Sequence, residues 1–286
     1  MSKITLENVS FYHGKGTPYE IKALKNINLS IPEGCITGLI GHTGSGKSTL
    51  VQMFNGLLTP HEGRVLIDGN DIWSNKKKIR DVRFKVGLVM QYPEYQLFEE
   101  TVYKDIAFGP TNMGLDEKEV KDRVLEAADF VGLDYSLLDK SPFDLSGGQK
   151  RRAAIAGIIA MRPEVLVLDE PAAGLDPRGR DAIFENISDY QKKSGNTVVI
   201  VSHSMEDMAK LCDNLIVMSE GEILMSGDRG TVFAKADTLT KIGLDVPQIT
   251  NLMNVLKSRG LDVDGGLYTV DMAVEFFKKY IRENGN

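Results

Sequence analysis

The stretch Gly41–Thr49 constrains the fold more than any other part of the chain. It reads Gly-His-Thr-Gly-Ser-Gly-Lys-Ser-Thr and fits the phosphate-binding pattern G-x-x-x-x-G-K-[ST] at every fixed position. The apolar run 35–40 before it predicts a buried strand, and the apolar-rich segment 50–57 after it predicts a helix. Loop N–H groups and the helix dipole together favour a bound phosphate. The sequence therefore predicts a phosphate loop rather than a chance glycine-rich turn.

Each residue type in this loop has an expected task. Lys47 is expected to reach the β- and γ-phosphates of a nucleotide, and the Ser48 hydroxyl is expected to bind Mg²⁺. The other positions supply backbone N–H groups or begin the helix. The predicted nucleotide-binding residues of the loop are Gly41, His42, Thr43, Gly44, Ser45, Gly46, Lys47, Ser48 and Thr49.

Composition and charge narrow the class of protein. The chain has 286 residues and a net charge of −6, and 42% of its residues are hydrophobic. These values predict a folded α/β domain with room for a small appendage, and they argue against nucleic acid as the main partner. We see no apolar run of membrane-spanning length and no signal-peptide core at the N-terminus. Cys35 and Cys212 lack metal or disulfide spacing, so we expect buried thiols in a reducing cytosol.

The order of predicted strands and helices indicates an α/β fold. Residues 4–11 and 23–31 alternate apolar and polar side chains, which predicts two half-buried strands that pair antiparallel. After a mostly helical stretch over 101–160, strands and helices alternate. The continuous apolar run 165–168 is typical of a parallel strand covered on both faces. We therefore expect a P-loop NTPase (RecA-like) core with an N-terminal antiparallel β subdomain.

The predicted helices and strands indicate that the chain has two parts. We place the main domain at residues 1–228 and, within it, a helical subdomain at about 95–160. The chain changes character after Gly227, where helical segments with apolar faces are joined by a glycine-containing link. Residues 229–286 are therefore predicted to form a small α-rich appendage.

A second nucleotide element lies at the end of the apolar run 165–168, where Asp169 and Glu170 follow directly. A buried strand of this kind delivers carboxylates to the sheet edge at which α/β proteins bind ligands. Asp169 is expected to hold Mg²⁺ directly or through water, and Glu170 to activate the attacking water as general base. An acidic pair alone would more often be structural, but the phosphate loop in the same chain favours the functional interpretation.

A third element is the run Leu145–Gln149, which reads Leu-Ser-Gly-Gly-Gln and opens a predicted helix over 150–161. A Ser-Gly-Gly turn at a helix N-terminus is a second anion site, as well as a cap for that helix. The phosphates of one nucleotide bind well at only one such helix N-terminus of a chain. The economical arrangement is a head-to-tail pair of chains, with each nucleotide between one phosphate loop and the partner's residues 146–148.

Together these motifs resemble the nucleotide-binding subunits of ATP-binding-cassette (ABC) transporters over residues 1 to about 228. The resemblance rests on the phosphate loop, Gln91, Leu-Ser-Gly-Gly-Gln at 145–149, Val-Leu-Val-Leu-Asp-Glu at 165–170, Ala-Gly-Leu-Asp at 173–176 and Ser202-His203. It implies ATP and Mg²⁺ as cofactors, and ATP hydrolysis coupled to transport across a membrane.

The resemblance also implies a role for each site residue. Gln91 is expected to sense Mg²⁺ or the attacking water and to link to the transport partner, and His203 to contact the γ-phosphate and orient Glu170. The implied catalytic residues are Glu170, His203 and Gln91, and the implied metal ligands are Ser48, Gln91 and Asp169. The residues implied to contact the partner's nucleotide are Leu145, Ser146, Gly147, Gly148, Gln149 and Asp176, the last of which crosses the dimer interface.

A narrower resemblance points to the energy-coupling factor ATPases, which power the uptake of vitamins or of cobalt and nickel. It rests on the segments 91–98, 105–110 and 175–180. Three further features resemble the second of the two ATPase subunits in such complexes: His42-Thr43, Arg151-Arg152 and Pro-Ala-Ala-Gly at 171–174.

This narrower resemblance implies partners and a location. The chain is expected at the cytoplasmic face of the cell membrane, as a peripheral subunit. The implied partners are a sister ATPase, with a heterodimer favoured over a homodimer, a membrane scaffold and, indirectly, a small substrate-binding membrane protein. The appendage is implied to help hold the ATPase pair together. The transported substrate is not encoded in this chain.

Two positions depart from the family pattern. The family usually stacks adenine on a Tyr two residues after the Phe of the first strand, and here Phe11 is followed by Tyr12 and His13. Either ring is a candidate for nucleotide binding from the sequence alone. Ala172 stands where Thr or Ser is common, and we expect little consequence.

Rival functions are weaker. The ATPase subunit of another ABC transporter is the nearest alternative. A DNA-repair or chromosome-organising ABC ATPase would need a long coiled coil, and no sustained heptad run lies between 49 and 145. A regulatory P-loop protein that binds nucleotide without hydrolysing it would not need both Glu170 and His203.

Overall fold

The computed structural model describes residues 1–261, 263 and 266–284, and the remainder of the predicted appendage lies outside this range. The strands are β1 (Ser2–His13), β2 (Ile21–Pro32), β3 (Ile36–Gly41), β4 (Glu62–Ile67), β5 (Asn70–Asp71), β6 (Val86–Val89), β7 (Val165–Asp169), β8 (Thr197–Val201), β9 (Asn214–Ser219) and β10 (Glu222–Asp228). The α-helices are α1 (Lys47–Phe54), α2 (Ile79–Lys85), α3 (Val102–Asn112), α4 (Glu117–Phe130), α5 (Gly147–Ile159), α6 (Pro177–Ser194), α7 (Met205–Leu211), α8 (Arg229–Phe233), α9 (Ala236–Lys241), α10 (Gln248–Ser258) and α11 (Val270–Asn284).

The N-terminal strands form an antiparallel sheet in the order β2-β1-β4-β5. The predicted antiparallel pairing of β1 with β2 is confirmed, with Leu6 opposite Leu29. The alternation of side chains along β1 buries Ile4 and Leu6 on one face, in a cluster that also contains Leu50 and Phe54 of α1. Burial of this apolar face fixes the register of the pair and sets the sheet against the helix that follows the phosphate loop.

The central sheet runs in the order β10-β9-β3-β8-β7-β6 and is parallel from β9 to β6. Every residue of β3, β6, β7 and β8 is buried, as expected for parallel strands covered on both faces. β3, β7 and β8 end beside one another, which brings Gly41, Asp169 and Val201 to the same edge of the sheet. The predicted P-loop NTPase fold is confirmed.

The edge strand β10 was not predicted. It pairs antiparallel with β9 after a tight turn in which Glu220 and Gly221 both have a positive φ. Its residues alternate between exposed and half-buried, because only one face of this edge strand packs on the protein.

The helical stretch predicted over 101–160 is found as α3, α4 and α5, with two short 3₁₀ turns between α4 and α5. Ile106, Val124 and Ala153 are fully buried, one from each of these helices, in the same cluster as β7 and β8. Asp116 caps α4, because its carboxylate accepts the N–H of Glu119 at 2.9 Å. This packing fixes α5, whose N-terminus carries the Ser-Gly-Gly turn, against the central sheet.

The C-terminal part shows two kinds of packing. The short helices α8 and α9, which were not predicted, bury Phe233 and Leu239 in the cluster of the central sheet. By contrast, Met253, Val263 and Leu267 form a separate small cluster with α10 and α11. The division at residue 228 stays a prediction, since apolar packing on the main core continues to Val246. No helix in the described part of the chain is long and apolar enough to cross a membrane.

Gly38, in the middle of β3, provides a test of this packing. A Cβ at this position would lie 2.7 Å from Leu215, 2.8 Å from Met208 and 2.9 Å from Cys212. Gly38→Ala should therefore lower the free energy of unfolding by roughly 1–3 kcal/mol through overpacking. Gly157→Ala on α5 is the control, because its Cβ would meet nothing closer than 3.5 Å. Equal urea midpoints for wild type and Gly38→Ala would contradict the tight contact between β3 and α7.

Candidate nucleotide site

A cleft of about 710 Å³ opens at the edge where β3, β7 and β8 end. It lies against the N-terminus of α1, where the phosphate loop delivers its N–H groups. The predicted site residues that line it are Thr43, Gly44, Gly46, Lys47, Ser48, Thr49, Gln91, Asp169, Glu170, His203 and His13. Folding thus gathers residues from positions 13 to 203 around one opening.

The backbone of the phosphate loop requires glycine at particular points. Gly44 and Gly46 have φ values of 82° and 100°, in the left-handed region that favours glycine. A Cβ on Gly46 would lie 2.8 Å from the carbonyl oxygen of Ala23, and one on Gly41 would lie 2.4 Å from that of Met218. Because glycine has no side chain at these two positions, the loop can pass close to the neighbouring backbone and turn directly from β3 into α1.

Lys47 is the cation at the centre of the loop. Its side chain is buried, and Nζ donates to the carbonyl oxygens of Gly41 at 2.6 Å and His42 at 2.9 Å. Burial lowers the pKa of Lys47, while the nearby carboxylates of Glu170 and Asp169 oppose that effect. Because the hydrogen-bond partners are neutral carbonyls, the positive charge is held in place without being neutralised by direct contact.

Ser48 and Asp169 form the second part of the site. The Ser48 hydroxyl donates to Oδ2 of Asp169 at 3.0 Å. Burial raises the pKa of Asp169, and the contact with Ser48 and the charge of Lys47 work against the rise. A hydroxyl and a carboxylate side by side are the hard oxygen donors that Mg²⁺ prefers. Within the described residues no group of three or more His, Cys, Asp or Glu forms a metal site.

Glu170 lies next to this pair in an unusual backbone conformation. Its φ is 54°, and its N–H donates to the carbonyl of Val201 at 3.0 Å. Oε1 is buried without a hydrogen-bond partner; it lies 3.2 Å from Nε2 of His203, but not in hydrogen-bond alignment. Burial, and then the charge of Asp169, raise the pKa of Glu170 to about 7. A carboxylate with this pKa is suited to act as a base near neutral pH.

His203 follows β8 and lies beside Glu170, with its side chain half exposed toward the cleft. Burial and the positive charge of Lys47 lower the pKa of His203, which favours the neutral imidazole. Ser204 begins α7 directly afterwards, because its hydroxyl accepts the N–H of Asp207. The helix cap thereby fixes the chain on one side of His203.

The structure distinguishes the two candidate rings near the start of the chain. His13 lines the cleft, packs edge-to-face on Phe11 and places Nε2 3.2 Å from the Thr49 hydroxyl. Tyr12, on the other face of β1, does not line the cleft and instead has Lys15 and Lys22 over its ring.

The signature segment (Leu145–Gln149) does not line the cleft of its own chain. Ser146 caps α5 through a capping box with Gln149. Gly147 and Gly148 are exposed, and a Cβ on either would meet nothing within 4 Å. Gly148 and Asp176 line a separate hollow of about 170 Å³. The Ser-Gly-Gly turn therefore lies outside the cleft that contains this chain's phosphate loop.

Arg151 was not predicted from the sequence as a site residue and was used only as part of the resemblance to the second ATPase subunit. Its guanidinium is buried behind Gln91 and Glu170 and binds both of their backbone carbonyl oxygens. An arginine two residues after the signature segment carries no sign in the sequence that it is buried. Its contacts depend on loops that lie 19 and 60 residues away.

The chain matches a protein-family model described as "ABC transporter" over residues 24–173. It is similar over nearly its whole length to proteins named energy-coupling factor transporter ATP-binding protein EcfA2. The relative from Caldanaerobacter subterraneus subsp. tengcongensis is 54% identical over 283 residues, which is 99% of each chain. The relative from Clostridium perfringens is 52% identical over 282 residues, or 98% of this chain and 99% of that one.

Solved structures agree with this similarity. CbiO1 from Clostridium perfringens, part of the ABC transporter complex cbiONQ, has a TM-score of 0.73 at 41% identity and covers 88% of this chain and 99% of its own. The dimeric ATP-binding cassette MJ0796 with ADP and Pi has a TM-score of 0.72 at 29% identity, covering 79% and 98%. This chain therefore belongs to the ABC transporter family and, within it, to the ATP-binding, ATP-hydrolysing subunits of energy-coupling factor transporters.

Proposed function

We propose that this chain hydrolyses Mg²⁺-bound ATP between itself and a sister ATPase subunit, at the cytoplasmic face of the membrane. The energy drives uptake of a vitamin, or of cobalt or nickel ions, through a membrane scaffold and a substrate-binding membrane protein. One observation carries the proposal: Lys47, Ser48, Asp169 and Glu170 meet in a single cleft, beside His203.

The chain's own residues divide the work within that cleft. Lys47 binds the β- and γ-phosphates, helped by N–H groups of the phosphate loop. Ser48 and Asp169, with the side chain of Gln91, would hold Mg²⁺, which would supply positive charge next to the phosphates. Glu170 takes a proton from the attacking water, and His203 orients Glu170. The buried, unpartnered Oε1 of Glu170 is the atom available to accept that proton.

The pKa of Glu170 makes the base testable. The dependence of kcat/KM on pH reports groups of the free enzyme. Because Glu170 acts deprotonated and its pKa is raised to about 7, activity should be present above that pH and fall as the pH drops through it. Glu170→Gln should lose on the order of 10²–10⁴ in rate and lose this acid limb.

The control for this change is Glu185→Gln, on an exposed position of α6. It should keep the wild-type rate and the same acid limb. Wild-type hydrolysis by Glu170→Gln at this chain's own site would remove Glu170 from the mechanism. ATP affinity should be retained in Glu170→Gln, because Lys47, Ser48 and Asp169 remain.

The position of His13 beside Thr49 supports stacking of adenine on its ring rather than on Tyr12. An aromatic stack contributes roughly 1–3 kcal/mol per base. His13→Ala should therefore weaken ATP binding by about tenfold or more, whereas Tyr12→Ala should change it little. Titration of each variant with a fluorescent ATP analogue measures this, and a larger loss in Tyr12→Ala would reverse the assignment.

A sister subunit is supported by the open geometry of the signature segment. Residues 146–148 lie exposed at the N-terminus of α5 and do not reach this chain's own cleft. A second chain's nucleotide can satisfy those N–H groups, and a second chain's signature segment can complete this cleft. The likeness to the second of two ATPase types favours a heterodimer.

The membrane scaffold is expected in a groove of about 640 Å³ on the helical part, which we call the aromatic groove. Phe98 and Phe108 stand exposed in it, edge-to-face at 4.9 Å, with Arg80 and Arg83 at its margin. Exposed apolar patches with polar rims are typical of protein interaction sites. The segment 91–98 joins this groove to the Gln91 of the cleft, so it suits an amphipathic cytoplasmic helix of the scaffold.

Charge in the aromatic groove should uncouple the chain from its scaffold. Phe98→Glu places a carboxylate at the centre of the proposed contact, so assembly should weaken by about tenfold or more and transport should fall with it. Leu224→Glu on the exposed edge strand β10 is the matched control and should assemble normally. ATP affinity of the isolated chain should be unchanged in both. Full transport by a folded Phe98→Glu variant would refute docking at this groove.

A further inference from the structure

Arg151 lies at a meeting point of the site's backbone segments. Its guanidinium donates to four carbonyl oxygens: Gln91 at 3.1 Å, Glu170 at 2.6 Å, Pro171 at 3.1 Å and Ala173 at 2.6 Å. The side chain is almost wholly buried, and its nearby countercharges are Glu94 and Glu170. A planar fork with five donors can hold four carbonyls in fixed relative positions, whereas a lysine ammonium has only three donors, all on one nitrogen.

One of those carbonyls belongs to the residue with the most constrained backbone in the site. Glu170 is a non-glycine residue in the left-handed region, a conformation that persists only when its surroundings fix it. The Glu170 N–H is held by Val201, and its carbonyl is held by Arg151 and by the N–H of Ala173. The direction of the Glu170 carboxylate therefore depends on contacts made by Arg151.

Arg151 is also connected to the aromatic groove, through its own helix α5 and through the segment 91–98. Arg151 is carried by α5, and Ala153, Ala154, Gly157 and Ile158 of the same helix line that groove. The Gln91 carbonyl that Arg151 binds begins the segment 91–98, whose last three residues, 96–98, line the groove. The fold thus places one guanidinium between the proposed docking surface and the proposed base.

We propose that Arg151 is a positioning residue for hydrolysis: its guanidinium fixes the backbone of Glu170 and Gln91 relative to α5. It touches neither ATP nor the attacking water, and it acts through Glu170. Movement of α5 or of the segment 91–98 when a partner occupies the aromatic groove then changes the direction of the base. This inference rests on the role proposed above for Glu170.

The test is a double-mutant cycle in the assembled complex, with the sister subunit's own base removed so that only this chain's site turns over. Arg151→Lys keeps the charge but loses the fork, so single-turnover hydrolysis should fall by about tenfold or more. Affinity for a non-hydrolysable ATP analogue should stay within about twofold, because no phosphate contact is lost. In a Glu170→Gln background the same change should lower the residual rate little further.

Additive losses in the two backgrounds would overturn the inference, as would a parallel loss of nucleotide affinity. Arg229→Lys is the matched control, since Arg229 also clasps backbone carbonyls, those of Ala209 and Lys210, away from the cleft. It should leave hydrolysis unchanged. If Arg151→Lys fails to fold, Arg151→Gln, which keeps an uncharged amide donor on a shorter side chain, takes its place under the same criteria.

The result also separates this inference from the proposed function. Wild-type hydrolysis by Glu170→Gln alone would remove the base and the role of Arg151 together. Slow hydrolysis by Glu170→Gln, combined with an independent effect of Arg151→Lys, would leave the base in place and overturn only the positioning role.

Discussion

Three charged groups buried together at one sheet edge determine what this molecule can do. Lys47, Asp169 and Glu170 are largely removed from water, and burying charges is costly unless they compensate one another. Here one ammonium faces two carboxyl groups. Partial protonation of Glu170 near neutral pH therefore relieves the excess of negative charge. Burial, and then the charge of Asp169, raise the pKa of Glu170 to about 7, which suits the proposed role of this carboxylate as a base. The electrostatic arrangement of the folded chain and the proposed chemistry are therefore the same feature.

The antiparallel sheet contributes to this site through its backbone. The N–H of Lys25 donates to the carbonyl of Gly221, whose own N–H donates to the carbonyl of Ser45 within the phosphate loop. Gly46 makes the approach possible, because any side chain there would meet the Ala23 carbonyl. Three segments from distant parts of the sequence are thereby fixed around the loop. The same packing of the antiparallel sheet against the phosphate loop places the end of β1 at the mouth of the cleft, where adenine is proposed to stack.

The sequence was sufficient for the parts of the fold that depend on local patterns. The phosphate loop, the buried strand before Asp169 and the antiparallel pairing of β1 with β2 each follow from the spacing of glycines or apolar residues. The helices α8 and α9 were missed because 5 and 6 residues are too few to show a helical period. The edge strand β10 was missed because its consecutive apolar residues 223–225 interrupt the alternation expected of a half-buried strand. Roles of individual site residues remain proposals that geometry supports.

Other features depend on tertiary contacts that no local pattern reveals. The proposal of His13 rather than Tyr12 depends on which face of β1 meets Phe11 and Thr49. The burial of Arg151 requires carbonyls from two loops to converge on α5. Both features result from how the sheets and helices pack together. Both concern the position and orientation of side chains in the site rather than which residue types are present.

The central claim is that this chain's cleft is completed by a second chain's signature segment. Pulsed dipolar spectroscopy can measure the distance between a spin label at Ile21, an exposed residue that lines this chain's cleft, and a label beside the signature segment of its partner. The measurement uses Glu170→Gln, in which slow turnover keeps ATP bound. The account predicts that ATP with Mg²⁺ shortens this distance, and that Lys47→Ala in this chain with the matching lysine change in its partner abolishes the shortening. A distance that ATP leaves unchanged, or that shortens equally in the lysine variant, would contradict a site shared through the γ-phosphate.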